Sequence, residues 1–487
     1  MAGLVLPTMV VVVVVCDALS LSTTQDAVRR LKTLKSPAEI DRALREMRPL
    51  RSPQLYTSFI NAFGRIRKPN KALALLEEMR RGDVEPSVIT YNALISACGR
   101  GGRWKRAIAL LDEMRRRDQL EPDVITYGAV ISACEKAGQW EKALALIDEM
   151  REDDGLEPDA IVYNVAIAAC VEARAWEKVV ELLEEMRNAR LGPDVITYNG
   201  AISACGKAGK WKQALALFDE MRRRDRLQPD VVTYGALIAA CDKGGGQWEK
   251  ALALLDEMRP HKHLKPNVVV YNAAISACGK GGQWEKALAL LDEMREDAYH
   301  VKPDVITFGA AISACEKGGQ WEKALVLLGE MRRYRLEPDV IAYGAAISAC
   351  GKGGQWEKAV SLLDELRGGQ HGGRRRLEPD VIAYNAAISA CGKGGQWQKA
   401  LSLLDEMRRE GIAPDLITYN AALSACARSD RVDEALGLLD EMRQQRGVEP
   451  DQITYSVAIS ACEKGGRRER ALALRDEMQE RNAASSC

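Results

Sequence analysis

The sequence predicts an all-α protein: a right-handed superhelical solenoid of about twelve helix-turn-helix repeats, each 35–41 residues long. Three observations carry that expectation. Cys98, Cys134, Cys170, Cys205, Cys241, Cys278, Cys315, Cys350, Cys391, Cys426 and Cys462 are spaced by 36, 36, 35, 36, 37, 37, 35, 41, 35 and 36 residues. Each period holds two apolar stripes of helical spacing, divided by glycine. Each period also closes on Pro-Asp or a variant of it. A fixed period near 35 marks an array in which stacked neighbours make the core.

The elements follow in order along the chain. Residues 4 to 16 are apolar and uncharged, and 1–22 read as a targeting segment. The run is too short to span a bilayer, and stable membrane insertion is not expected. Residues 23–52 read as an N-terminal helical cap, with Ala38 to Met47 resembling a lone second helix. The array then occupies 53–487, with repeats starting at Pro53, Val88, Val124, Ala160, Val195, Val231, Val268, Val305, Val340, Val381, Leu416 and Gln452.

The repeat from Val268 shows the logic. Tyr271, Ala274, Ile275 and Cys278 fall at i, i+3, i+4 and i+7, one stripe of a helix. Gly279, Gly281 and Gly282 end it. Trp284, Ala287, Leu288, Leu291 and Met294 form a second stripe, and Trp and Cys are expected to be buried between the helices. Pro303 stops the second helix and Asp304 caps the next one. Phe63 and Pro69 make the first repeat atypical, and Asn482 to Cys487 lack a closing Pro-Asp, as end caps do. The stretch Gly368 to Arg376 is an insertion in an inter-repeat loop.

Lys plus Arg and Asp plus Glu number 69 each, so net charge excludes a simple polycation. No Cys-x-x-Cys zinc spacing occurs, and eleven thiols recurring at one helical position read as small core residues in a reducing compartment. The four histidines, His261, His263, His300 and His371, fall in loops, and neither metal nor cofactor is expected. The recurring Gly-Lys-Gly-Gly is a turn, not a phosphate loop, since no Gly-Lys-Ser/Thr follows a strand.

A second stripe on the first helix is not core. Numbering from the first residue of each repeat, positions 2, 5, 9 and 13 lie within about 80° of one another. Position 2 is aliphatic: Ile89, Ile125, Ile161, Ile196, Val232, Val269, Ile306, Ile341, Ile382, Ile417 and Ile453, with Gln54 the exception. Position 5 is Asn92, Asn164, Asn199, Asn272, Asn385 and Asn420, or Gly128, Gly235, Gly309 and Gly344, with Thr57 and Ser456 at the ends. Position 9 is mostly Ser or Ala. Position 13 is basic: Arg65, Arg100, Lys136, Lys207, Lys243, Lys280, Lys317, Lys352, Lys393, Arg428 and Lys464, with Glu172 breaking the row. The acids gather on the second helix, so zero net charge hides a basic track. One cation per repeat suits a polymer with one phosphate per unit. The same cations also suit a helix C-terminus, but that does not account for position 5, where Asn and Gly are both poor helix formers.

The phrase Val-Ile-Thr-Tyr-Asn-Ala-x-Ile-Ser-Ala-Cys, the helix Ala-Leu-x-Leu-Leu-Asp-Glu-Met-Arg and the closing Pro-Asp resemble the pentatricopeptide repeat family, in its plain repeat-only class, over residues 53–487. The resemblance implies sequence-selective binding of single-stranded RNA in mitochondria or plastids, one base per repeat. It implies that position 5 and the last residue of the repeat read the base and that position 2 sandwiches it; the basic row at position 13 is expected to meet phosphate. The closing residues are Ser87, Asp123, Asp159, Asp194, Asp230, Asn267, Asp304, Asp339, Asp380, Asp415 and Asp451. Each is also the N-cap of the next helix. Asn with a closing Asp implies uracil. The Gly repeats offer no side chain for choosing a base.

Family members that edit RNA resemble deaminases, with His-x-Glu and Cys-x-x-Cys; neither occurs here, and no catalytic residue or small-molecule substrate is expected. The partner implied is single-stranded RNA, with proteins joining for downstream processing. The competing reading is a scaffold that grips a protein or peptide in a concave groove.

Overall fold

The computed structural model describes residues 25–484 other than 262, 297–300, 369–376 and 446. The proposed targeting segment and the insertion after Gly368 lie outside those residues. Among the described residues every regular element is a helix, and no helix is long and apolar enough to cross a membrane.

The chain divides into two compact units, 1–229 and 230–487. The first holds the N-terminal helices and repeats 1–5; the second holds repeats 6–12. Within each unit, consecutive first helices pack side by side, and each second helix lies against the first helix of its own repeat and that of the next.

The expectation of a lone helix before the array needs correcting. A helix over 25–33 precedes Pro37–Met47, giving a further helix pair ahead of repeat 1. Arg65 ties that pair to the array by donating to the carbonyls of Leu31 (2.5 Å) and Lys32 (2.9 Å).

First helices span 13 residues from position 1 to position 13, such as Val268–Lys280 and Val305–Lys317. Asp304 begins the latter: its Oδ1 accepts from the Thr307 N–H at 2.8 Å, and Thr307 Oγ1 accepts from the Asp304 N–H at 3.0 Å. This reciprocal cap satisfies two donors that a helix start leaves open. At the far end Gln283 N–H reaches back to the Cys278 carbonyl at 2.8 Å, with Gly282 at φ +74°. The same left-handed position is taken by Arg67, Arg174 and Asp430 in repeats that lack glycine there.

Tyr271, Ala274, Ile275 and Cys278 are buried as expected, and all eleven repeat cysteines are buried. Burial pushes the Cys278 thiol up to about 11. The second stripe differs in phase. Ala287, Leu290, Leu291 and Met294 are buried, whereas Leu288 and Trp284 are only half-buried. None of the nine Trp residues is buried. Each Trp of repeats 6–9 instead lies over the turn of the following repeat. A Cβ at Gly281, Gly318, Gly353 or Gly394 would strike the ring of Trp248, Trp284, Trp321 or Trp356. A lysine covers the other side: Lys286 Nζ stands 3.7 Å from the Trp248 ring centre and Lys358 Nζ 4.0 Å from that of Trp321. Such cation–π contacts contribute about 0.5–1 kcal/mol at exposed sites. An all-carbon burial rule misses this, because Trp is too large to enclose between two slim helices.

Within each unit, an arginine at the end of a second helix reaches the next repeat. Arg259 pairs with Glu293 at 2.6 Å, and Tyr271 donates its hydroxyl to the same carboxylate at 2.8 Å. Arg187 with Tyr198, Arg408 with Tyr419, and their neighbouring acids repeat the arrangement. These buried or half-buried networks fix how one repeat sits on the next.

Candidate nucleic-acid interface

Position 2 is the outlier in a chain that otherwise buries its large aliphatic residues. The eleven residues from Ile89 to Ile453 are 61–72% exposed. Burying such a side chain is worth about 1.5–3 kcal/mol, so a row of them left in water is a surface available for contact. In repeat 12 the four positions share one groove. A space of about 540 Å³ is lined by Ile453, Ser456, Ser460 and Lys464 of that repeat, with Ser424 and Arg428 of the repeat before.

The residues assigned to base reading meet in pairs. Asn92 Nδ2 donates to Asp123 Oδ1 at 3.2 Å, Asn272 to Asp304 at 3.2 Å, Asn385 to Asp415 at 3.1 Å and Asn420 to Asp451 at 3.3 Å. The closing Asp is therefore at once the cap of the next helix and the partner of the position-5 amide. Burial raises the Asp304 pKa, but the Thr307 N–H and hydroxyl and the Asn272 amide outweigh it and hold the carboxyl below the usual carboxylate range. A residue that sequence reasoning missed joins three of the Asn side chains, while Asn272 Oδ1 and Asn385 Oδ1 find no partner among the described residues. Thr126 donates its hydroxyl to Asn92 Oδ1 at 2.7 Å, Thr197 to Asn164 at 2.7 Å and Thr454 to Asn420 at 2.7 Å. The signal was present in the order of residue types along the chain, not in any single repeat.

In the glycine repeats the floor is open. A Cβ at Gly309 or Gly344 would meet nothing within 4 Å, and at Gly128 or Gly235 only a methyl of Val162 or Val270 at 3.7 and 3.6 Å. Sterics do not demand glycine there. Asp339 and Asp380 still cap their helices through the Ala342 and Ala383 N–H groups at 2.8 Å. Asp159 and Asn267 do the same for Val162 and Val270, Ser87 for Thr90. Thr57 Oγ1 stands 3.2 Å from Thr90 Oγ1.

The position-13 cations fall into two kinds. Lys207 pairs with Glu172 at 2.5 Å, Lys280 with Asp242 at 2.9 Å and Lys352 with Glu316 at 2.6 Å. The partners are acids at position 12 or 13 of the preceding repeat. Lys317, Lys393 and Lys464 are exposed, and no ion pair to them is found among the described residues. Arg65 is occupied by the carbonyls of the N-terminal helix. His261 and His263 lie in one loop with their rings 5.6 Å apart, and no cluster of metal-ligating residues occurs among the described residues.

Comparison with known proteins agrees with this geometry. Residues 54–100, 86–134, 122–170, 158–206, 193–243, 266–317, 303–352, 379–428 and 414–464 match the PPR repeat family, and 341–369 and 453–482 match a single PPR repeat. No curated protein sequence matches the chain. Among solved structures, the pentatricopeptide repeat protein PPR10 from maize is 25% identical, with a TM-score of 0.58, over 91% of this chain and 71% of that one. A second structure, of PPR10 in complex with an 18-nt psaJ RNA element, is also 25% identical, with a TM-score of 0.46, over 93% of this chain and 78% of that one. With repeat matches running through most of the array, the chain belongs to the PPR repeat family.

Proposed function

We propose that this protein binds single-stranded RNA along the first-helix face, one base per repeat, with position 2 sandwiching the base, position 5 and the closing residue reading it, and position 13 meeting phosphate. The observation that carries the reading is the exposed aliphatic row beside the Asn–Asp pairs. Each base stacked in such a groove contributes about 1–3 kcal/mol whatever its identity. Choice then rests on the pairs. PPR10, a similar repeat protein, has been solved with a bound RNA element, which supports the same ligand class here.

Asn with Asp favours uracil. With repeat 1 at the 5′ end, the ligand is about twelve nucleotides long, counted from one base per repeat. It carries uracil opposite repeats 2, 4, 5, 7, 10 and 11, where Asn is followed by Asp, and is loosely chosen elsewhere. The cellular role is a non-enzymatic one in organelle RNA processing, stability or translation, with other proteins supplying any chemistry. Selection from a random RNA pool by the purified protein tests this. Ligands enriched in uracil with the spacing of those six repeats are expected; selected ligands without it, or a protein that binds peptide and no RNA, would defeat the proposal.

A further inference from the structure

We infer that in repeats 2, 4 and 11 the threonine at position 3 of the following repeat is a positioning residue for base choice: it holds the Asn carboxamide in the one orientation that distinguishes uracil from cytosine. The inference rests on the RNA-binding reading above and deepens it.

The first observation is a match between repeats in the sequence. All six Asn repeats are followed by Thr at position 3: Thr126, Thr197, Thr233, Thr307, Thr418 and Thr454. All four Gly repeats are followed by an apolar residue there: Val162, Val270, Ala342 and Ala383. Thr at this position also completes the helix cap, as Thr126 does by accepting from the Asp123 N–H at 3.2 Å. Capping alone does not explain the match. The helices beginning at Ala160, Val268, Val340 and Val381 forgo the reciprocal cap, and they are the four that follow a Gly repeat.

The second observation is geometric. A carboxylate only accepts hydrogen bonds, so the Asn92 atom 3.2 Å from Asp123 Oδ1 is the amide nitrogen. Oδ1 of Asn92 then faces Thr126, whose hydroxyl lies 2.7 Å from it and 2.7 Å from Asp123 Oδ1; Asn164 and Asn420 repeat the contact, whereas Asn272 Oδ1 and Asn385 Oδ1 find no partner among the described residues. One Nδ2 proton goes to Asp123, and the other has no protein partner among the described residues. Had the neighbour been Val or Ala, the amide oxygen would have faced a methyl group with its hydrogen bond unmade, at a cost of about 1–3 kcal/mol.

The chemistry follows. Uracil presents an N3–H donor beside carbonyl acceptors, which suits a carboxylate next to an outward N–H. Cytosine presents an N3 acceptor beside an N4 amino donor, which suits an outward amide oxygen. A carboxamide pinned by Thr and Asp offers the first pattern; one released from Thr turns to offer either. The Gly repeats, with neither amide nor hydroxyl, drop both parts of the device together.

The test uses the full chain and a twelve-nucleotide RNA with each base in turn at nucleotide 2, 4 or 8. Thr126→Val should lower the uracil-over-cytosine affinity ratio at nucleotide 2 roughly tenfold, the equivalent of ~1.4 kcal/mol, and leave the ratio at nucleotide 4 unchanged. Thr126→Ser should retain it. Gly309→Asn with Ala342→Thr should create uracil preference at nucleotide 8, and Gly309→Asn alone should not. Any loss of the cap lowers melting temperature without changing the ratio at one nucleotide. Full uracil choice in Thr126→Val, or equal selectivity of Gly309→Asn with and without Ala342→Thr, overturns the inference. Hydrogen exchange of the Asn92 side-chain amide provides a reading without RNA: it should quicken in Thr126→Val, and unchanged exchange rejects the positioning role. A wild type that binds no RNA removes the binding reading and the base-choice half of this one, leaving amide exchange to decide the positioning half.

Discussion

Replacing Glu316 by Gln should tighten RNA binding and steepen its salt dependence. Lys352 donates to the Glu316 carboxylate at 2.6 Å, and Ser348 donates to the same oxygen at 2.9 Å. Gln keeps the shape and an acceptor for Ser348 while removing the charge. A phosphate held by Lys352 would stand about 5 Å from that carboxylate, where like charges repel by roughly 0.8 kcal/mol even in bulk water, about fourfold in affinity. Freeing the lysine should also add about 0.7 to the slope of log affinity against log salt, or about 2.6-fold between 50 and 200 mM. Lys317 already lacks such a partner among the described residues, so Lys317→Ala should flatten the slope by about the same amount, and Lys352→Ala by less. The assay is fluorescence anisotropy with a labelled selected RNA at a series of potassium chloride concentrations. Glu316→Gln and Lys317→Ala that both leave the slope unchanged would refute the assignment of position 13 to phosphate.

Four further outcomes are expected. Cys278→Asp should cost at least about 3 kcal/mol, since it places an unpaired carboxylate in a fully buried site; an unchanged thermal melt by circular dichroism would contradict the assigned core. Gly281→Ala should destabilise by about 1–3 kcal/mol through collision with Trp248, whereas Gly309→Ala, which meets nothing, should stabilise by about 0.5–1 kcal/mol. Arg174→Gly, at φ +58°, should raise the melting temperature by relieving about 1 kcal/mol of left-handed strain. Stability should fall on acidification. The Asp304 and Asp415 carboxyls lie below the usual range when folded, so their contribution is complete above the unfolded carboxylate pKa near 4 and is lost as pH drops through the lower folded values. Asp304→Asn should shallow that acid limb in a pH-resolved melt.

The first helices were legible almost to the residue because most are bounded by chemistry that sequence displays: an Asp before position 1 and a glycine just after position 13. The second helices were placed correctly but rotated, with Leu290 rather than Leu288 inside. Their apolar residues cover more than one face, so spacing alone does not fix which side meets the neighbour. The half-open Trp residues and the Arg–Tyr–acid contacts depend on how far one repeat is displaced from the next, and no periodicity within a repeat encodes that offset. The aliphatic row at position 2 was readable as a surplus of large apolar residues off the core stripe. The Thr–Asn link was hidden because it joins positions about 34 residues apart, and only a comparison of neighbouring repeats brings it out.

The arginine that each repeat extends to the tyrosine and acid of its successor makes the joints interchangeable. Arg115 with Tyr127, Arg187 with Tyr198 and Arg408 with Tyr419 are the same plug and socket. Excising one complete repeat, or copying one in tandem, therefore rejoins matched ends and leaves no orphaned charge at the seam. Lineages of such chains can lengthen or shorten by whole cassettes through unequal recombination, and an engineer can do the same. The phenylalanine at 308 marks the one described joint where that socket lacks its hydroxyl, leaving Arg295 to lie over the ring while it pairs with Glu330 and Asp292.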